Sequence, residues 1–472
     1  MGIRTKFYVD IMAMQAEVTG SCNICCIRFP DGSKKKFIVD CGLFQEPEYL
    51  HYNTELSFNP ETVDFVVVTH NHVDHTGRLP LLVKQGYCGN IYATMPTCRL
   101  LRYALSDSCK LQKIAAKKAN TKCLYTSEDV SQTLKYLVPC NFLETIAVDN
   151  NIKMTFFYNG HLPGAALILF QISYPEYDDI NLLFTGDYNN KNMFFDVPAL
   201  PNWVNNLSIS IIQESTYGDT DSSTMKEEFS DNVLKAIKED KTIIIPVFAL
   251  GRAQEVLYKL KTLQDNHFLS TEVPIYLDGK LALNYTKKFL DDDLLGLKEE
   301  IRNFLPRNFK YVDDLMREKL LKDRKTKIIL TTSGMGSFGP AQRYLPEYLQ
   351  VEDALIHFTG YTTEGTLGAR LKGTLTGDIT AASGILVVKR ALVEYTTEYS
   401  AHAKADEMIE FLKQFSNLRL VLVTHGEDET KRLFAERIMR EVSPKKIGIL
   451  NREFVFRINA YGLVKTINTK FR

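Results

Sequence analysis

Five short apolar runs in this chain each end on an acid or a histidine. KKFIVD stops at Asp40, DFVVVTH at His70, NLLFTGD at Asp187, LSISIIQE at Glu214 and RLVLVTH at His425. Each run is apolar or β-branched and leads into a glycine or a turn, which is how a buried strand reads where it opens into a loop. In α/β folds the carboxyl ends of such strands are where sites are built. The pattern therefore predicts an α/β protein with one site assembled from the ends of several strands.

Helices lie between the strands. Residues 97–118 carry Leu100, Leu101, Ala104, Leu105 and Leu111 at helical spacing, and Thr126 with Asp129 has the form of a capping box before SQTLKYL. Residues 281–325 are rich in Leu, Lys, Asp and Glu and read as helices broken at Pro306. Residues 241–260 read as strand, turn and helix, and PIYLDG and KIILTTSGMG add two strands with glycine-rich exits. Residues 219–395 thus form a β/α block of their own, as a parallel sheet requires. With no low-complexity linker and no internal repeat, the domains are expected to be nested.

Charge narrows the function classes. Lys plus Arg equals Asp plus Glu at 57 each, for a net charge of zero over 472 residues. That excludes a protein held on nucleic acid by overall charge and leaves a local basic groove. Lys and Arg gather at 110–122 and 317–327, where they also read as solvated helix faces. MGIRTKFYVD lacks the apolar core of a signal peptide, and no run approaches the roughly 20 apolar residues of a membrane span. The nine cysteines, an odd number, read as reduced thiols of a cytoplasmic protein, with Cys22, Cys25 and Cys26 buried in an apolar stretch.

The chemistry concentrates in THNHVDHTG, residues 69–77, which holds three of the nine histidines. Imidazole and carboxylate suit zinc and tolerate manganese or iron. In an extended segment His70, His72 and Asp74 would face one way and His75 the other. A loop at the strand end would instead split them into pairs, His70 with His72 and Asp74 with His75. Further ligands are then needed, and Asp187, His425 and His161 in YNGHLPGAA are the candidates.

Taken together, these segments resemble the metallo-β-lactamase fold. VDCG with Asp40 looks like its first motif, THNHVDHTG its second, GHLPGAA with His161 its third and FTGD with Asp187 its fourth. IQESTYG, PVFALGRAQE, SGMGSFGPA, FTGYTTEGTLGARL, EYSAHA and VTHGE narrow the resemblance to the β-CASP branch of nucleic-acid-processing nucleases, from about residue 10 to 430. The resemblance implies a four-layer αββα sandwich spanning residues 1–218 and 396–472, with a β-CASP domain on a mainly parallel sheet inserted at 219–395. It implies two zinc ions, with manganese as the substitute. His70, His72 and His161 would hold one, Asp74, His75 and His425 the other, and Asp187 would bridge them. Asp40 would orient ligand histidines from behind.

The implied activity is a ribonuclease, endonucleolytic or 5′-exonucleolytic, that hydrolyses phosphodiester bonds with a metal-bridging hydroxide. Asp74 would orient that nucleophile, and His402, kept protonated by Glu214, would donate the proton to the leaving oxygen. Ser400 and Arg252 are candidates for phosphate contact; Arg252 reads equally as a buried structural ion pair. RNA rather than DNA follows from His425, which DNA-directed members tend to replace with an apolar residue. The RNA is expected in the cleft between the two domains. Related enzymes often form homodimers, although no feature here demands one. With no KH-like stretch ahead of the first motif and a short segment after VTHGE, expected to form a β hairpin or edge strands, the chain resembles the compact cleavage and polyadenylation endonuclease type. It resembles RNase J and the KH-bearing archaeal type less. A small-molecule hydrolase such as a thioesterase or lactamase has no need of the insertion or of Glu214 and His402. A non-catalytic scaffold would be expected to have lost metal ligands. One departure stands out: the usual S-A-H-A-D ending is SAHAK, with Lys404 in place of the acid.

Overall fold

The computed structural model describes residues 6–15, 18–224, 227–291, 293–360, 362 and 365–469. Met1–Thr5 at the amino terminus, and Tyr361, Thr363 and Glu364 of the FTGYTTEGTLGARL stretch, lie outside the described residues. The chain divides into two compact units: Met1–Ser223, Leu294–Gly296 and Ala401–Arg472 form one, and Thr224–Asp293 with Leu297–Ser400 the other.

The first unit holds two sheets. One has eight strands in the order Gly462–Asn468, Phe454–Asn459, Tyr8–Ala13, Asn23–Arg28, Lys34–Val39, Phe65–Val67, Asn90–Thr94 and Leu137–Cys140. The other has seven: Lys446–Ile449, Leu418–Thr424, Ile209–Glu214, Ile180–Phe184, Ala166–Ile172, Ile152–Tyr158 and Thr145–Ala147. The apolar runs are continuous because both faces of these strands are covered. Phe184, Leu182 and Ile212 enter one core shared by the two sheets, whereas Leu183, Ile209 and Ile211 enter a second core with the helices Ala405–Lys413 and Asp428–Glu441. In the other sheet Phe37, Val39, Phe65 and Val67 join the shared core. Ile38, Val66 and Val68 instead face the helices Leu79–Lys84, Met95–Ala119 and Ser127–Lys135. Phe37 touches Phe65 of its own sheet and Phe170 of the opposite one, at ring distances of 5.0 and 4.6 Å. This strand alternation is the period-two rule acting on a doubly buried sheet.

The second unit carries a six-stranded sheet in the order Phe309–Tyr311, Ile275–Asp278, Lys327–Thr331, Thr242–Pro246, Ala354–Phe358 and Leu392–Tyr395. Every neighbouring pair runs parallel. The fold is thus mixed α/β with an inserted β/α unit, as the alternation of elements implied.

Most elements lie where the sequence placed them. The helix Met95–Ala119 covers the expected 97–118, and Thr126 and Asp129 form the capping box at Ser127–Lys135. Phe454–Asn459 and Gly462–Asn468 make the hairpin, its first strand also paired to Tyr8–Ala13. The stretch 281–325 is corrected. It holds the helices Lys280–Asp291 and Asp314–Lys322, but also the strand Phe309–Tyr311, which continues the sheet beside Ile275–Leu277. Three half-exposed residues at a sheet edge leave no alternation to detect, and the helical composition around them hid the strand. No helix among the described residues is long and apolar enough to cross a membrane.

Candidate metal centre

Every acid or histidine singled out at a strand end lies in the first unit, and the backbone there is shaped to present it. Asp40 follows the strand Lys34–Val39 at φ +63°, and His425 follows Leu418–Thr424 at φ +50°. Non-glycine residues rarely take this left-handed conformation, and where they do the surroundings must hold them. Asp40 is held by its backbone N–H to Val67 O at 2.9 Å, and His425 by Ser215 N–H to its carbonyl at 3.0 Å. After the strand Phe65–Val67 the chain does not stay extended: Val73–Thr76 is a helical turn with His72 as its N-cap. The extended arrangement, with His70, His72 and Asp74 on one side, therefore does not occur. The turn is pressed close to Gly42, where an added Cβ would lie 1.5 Å from the Asp74 carbonyl oxygen.

The folded chain brings the donors into two neighbouring sets. His70, His72, His161 and Asp187 place one donor atom each within 4.8 Å of one another, and so do Asp74, His75 and His425. Asp187 stands between the sets. Its Oδ2 faces His70 Nε2 at 3.5 Å and His161 Nε2 at 3.6 Å, and its Oδ1 faces His75 Nε2 at 3.1 Å and His425 Nε2 at 3.3 Å. Ring nitrogens point at each other, His72 Nδ1 at His161 Nε2 across 3.1 Å and His75 Nε2 at His425 Nε2 across 3.2 Å.

The outward nitrogens are fixed. His75 Nδ1 bonds Asp40 Oδ2 at 2.8 Å, and His161 Nδ1 the Ala401 carbonyl at 2.9 Å. Two matching relays hold the others. His70 Nδ1 meets Thr69 Oγ1 at 3.0 Å, and that hydroxyl donates to Asp40 at 2.7 Å. His425 Nδ1 meets Thr216 Oγ1 at 3.0 Å, and that hydroxyl donates to Glu214 at 2.6 Å. A carboxylate only accepts, so each hydroxyl spends its proton on the acid and takes the imidazole N–H on a lone pair. In all four rings Nδ1 is thereby engaged outward and Nε2 is the atom turned inward, the arrangement that suits a metal ligand. His70 Nε2 is buried and has no hydrogen-bond partner among the described residues.

Electrostatics agree. Burial holds His70 and His161 well below the usual imidazole value and His72 below it, which keeps them neutral. At His75 burial works against the charge, but Asp187 and Asp40 outweigh it and raise the value well above the ordinary one. Burial also opposes ionisation of Asp187, yet His425, His75 and His70 hold its carboxyl well below the usual range. A cation entering here meets an anionic carboxylate and neutral imidazoles and must displace one proton from His75. The donor set, the inward-turned nitrogens and the orphaned His70 nitrogen all fit a metal ion.

Beside the two sets lies a different pair. His402 Nδ1 is 3.0 Å from both oxygens of Glu214, and its Nε2 is 3.9 Å from Asp187. Burial disfavours the charged ring, but Glu214 and then Asp187 overcome this and raise its pKa. Glu214 is only 1% exposed and also accepts the Tyr188 N–H at 2.5 Å and the Thr216 N–H at 3.2 Å.

Residues 31–213 match the metallo-β-lactamase superfamily domain, residues 253–371 the Beta-Casp domain, and residues 387–449 the Zn-dependent metallo-hydrolase RNA specificity domain. Transcription termination factor FttA of Methanosarcina mazei is 30% identical over 446 residues, spanning 89% of this chain and 68% of that protein. A ribonuclease of Thermus thermophilus is 31% identical over 426 residues, spanning 88% of this chain and 91% of its own. The chain belongs to the metallo-β-lactamase superfamily, in its β-CASP branch. The Integrator complex subunit 11 homolog of Dictyostelium discoideum, 27% identical over 437 residues, covers 86% of this chain with 56% of its own length. Membership in this superfamily implies a divalent metal, and the two donor sets are where this β-CASP protein would hold it.

Two candidates for phosphate contact, Ser400 and Arg252, lie in the second unit. Arg252 is buried. Its Nε bonds Glu255 at 2.9 Å, its Nη1 bonds the Thr359 carbonyl, and its guanidinium lies 5.3 Å from the centre of the Tyr399 ring. These contacts engage the guanidinium within the second unit. Sequence reasoning passed over Thr69, Thr216 and Asn159. The Asn159 amide donates to the carbonyls of Thr185 and Asp187 at 2.8 and 2.6 Å, and its oxygen accepts the His161 N–H at 2.8 Å. Their one signal was adjacency, since each stands within two residues of a predicted ligand or acid.

Proposed function

We propose that this β-CASP protein is a zinc-dependent ribonuclease that hydrolyses RNA phosphodiester bonds, as an endonuclease, a 5′-exonuclease or both. The observation that carries the reading is the Glu214–His402 pair set beside two donor sets, with Asp187 facing histidines of both. In the proposal His70, His72 and His161 hold one ion and Asp74, His75 and His425 the other, with Asp187 serving both. When bound, two zinc ions would lower the pKa of water and neutralise charge on the phosphoryl oxygens.

The chain's own residues do the rest. Asp74, at 18% side-chain exposure the most open of the acids in the donor sets, orients the attacking water. His402 keeps its Nδ1 on Glu214 and so offers Nε2, the atom facing Asp187, to the leaving sugar oxygen. Against the effect of burial, Glu214 and Asp187 raise its pKa, which favours the protonated ring that a proton donor needs. Glu214 cannot itself turn to the substrate, because Tyr188 and Thr216 hold both of its oxygens. RNA as substrate is supported by the match at 387–449 to an RNA specificity domain and by relatives named as a ribonuclease and a transcription termination factor. The proposal includes a reducing, cytoplasmic setting, supported by nine free thiols of which five are buried.

The test is direct. Protein carrying about two zinc ions per chain is incubated with 5′-labelled and with 3′-labelled RNA, and products are followed over time. Metal-dependent cleavage is expected, and the two ladders separate internal cuts from stepwise removal at the 5′ end. A fully metal-loaded protein that leaves both RNAs intact would overturn the reading.

A further inference from the structure

Lys404 stands where the resemblance leads one to expect an aspartate, and it is not at the surface. It is 2% exposed, and its Nζ sits 3.3 Å from the centre of the Tyr217 ring. The Tyr217 ring is in turn 6.1 Å from the His402 ring, edge-on at 69°. Both residues occupy telling positions. Tyr217 follows Thr216 and lies three residues after Glu214, and Lys404 lies two residues after His402. The contact therefore joins the segment that carries the acid to the segment that carries the imidazole.

The same two segments are tied at other points. Ala405 N–H donates to Thr220 O at 2.9 Å, and Ser222 N–H to Asp406 at 3.0 Å. Ala403 N–H donates to Tyr188 O at 2.7 Å, while Tyr188 N–H holds Glu214. These bonds fix the backbones. Lys404 and Tyr217 add a side-chain contact between the same two segments. An ammonium removed from water is costly unless something takes its charge, and the face of an aromatic ring is such a partner. A carboxylate could not replace it, because the ring face is itself electron-rich. Meanwhile a carboxylate persists two residues later, where Asp406 receives the Ser222 N–H and hydroxyl.

We propose that Lys404 is a positioning residue: its ammonium, pressed onto Tyr217, sets the spacing between Glu214 and His402, in place of the acid usual there. The inference rests on the ribonuclease reading. It predicts an effect on the rate of the chemical step, because proton donation depends on placement to a fraction of an ångström, and none on RNA binding or metal content.

The experiment measures kcat and KM on labelled RNA, together with bound metal, for a set of variants. Lys404→Met keeps the stem and loses the charge; kcat should fall about tenfold with KM within about twofold. Lys404→Arg keeps a cation on the ring and should restore kcat to within about threefold of the starting protein. Tyr217→Leu should match Lys404→Met, and Tyr217→Phe should not. The double variant Lys404→Met with Tyr217→Leu should be no slower than either single, since both remove one contact. Unchanged kcat in Lys404→Met, losses that multiply in the double variant, or metal content that falls in step with rate would each overturn the inference while leaving the ribonuclease reading intact. Failure of the metal-loaded starting protein to cleave RNA would remove both.

Discussion

Replacing Asp40 by Asn tests the site without touching a donor atom. Asp40 is 2% exposed and accepts three bonds: Thr69 N–H at 2.8 Å on Oδ1, and Thr69 Oγ1 at 2.7 Å with His75 Nδ1 at 2.8 Å on Oδ2. An amide can place its oxygen on only one side. If the NH2 group faced the Thr69 N–H, two donors would meet, so the carbonyl takes that place and the NH2 turns to His75. Thr69 adapts, because a hydroxyl can accept as well as donate. His75 cannot: its Nδ1 must become the acceptor, the proton moves to Nε2, and the lone pair aimed at His425 and Asp187 is lost. Removal of such a supporting partner typically costs 10–100-fold in metal affinity, about 1.4 to 2.8 kcal/mol. Competition against a chromophoric chelator at pH 7 reads the affinity of each ion, and the set containing His75 should weaken selectively. If Asp40→Asn binds both ions as tightly as the starting protein, the tautomer argument is wrong.

Four further outcomes are expected. His402→Ala should slow RNA cleavage by about 10²–10⁴-fold with metal content unchanged. In Glu214→Gln the loss of the charge that raises the His402 pKa should move the alkaline limb of the pH–rate profile to lower pH. Gly42→Ala should lower metal loading, measured by mass spectrometry under native conditions, because the new Cβ cannot coexist with the Asp74 carbonyl oxygen 1.5 Å away. Acid should weaken the second unit through His357, which is fully buried and whose pKa burial presses down to about 4. Its value is depressed on folding, so its contribution is complete above the ordinary 6.5 and fades as pH falls toward 4, by roughly 3 kcal/mol in all. Urea midpoints across that window should decline, and less steeply in His357→Gln.

The site was legible in the sequence to an unequal degree. Asp40, His70, Asp187, Glu214 and His425 could be found because each ends an apolar run that is buried on both faces, which makes the polar residue conspicuous. His402 had no such run before it, and only resemblance singled it out. Thr69 and Thr216 were invisible for the opposite reason. Threonine is ordinary at the end of a strand, and the two relays exist only once the carboxylates of Asp40 and Glu214 arrive from elsewhere in the chain. The division of THNHVDHTG between two sets was also open, because it depends on a single helical turn, Val73–Thr76, too short to carry a periodic signal. Lys404 was seen as a departure, but the ring that receives it lies 187 positions earlier and no local pattern connects the two.

The strand Leu418–Thr424 pairs in parallel with Ile209–Glu214, although the whole second unit separates them along the chain. Synthesis proceeds from the amino terminus, and a nascent chain folds what it already has. His70, His72, His161 and Asp187 are therefore present early and can gather on the ribosome. His402 and His425 come only after the inserted unit has been translated. A growing polypeptide can thus assemble one donor set but neither the second set nor the proton donor. In the ribonuclease proposed above, this order of arrival is a built-in delay: the blade is not fitted until the handle is made.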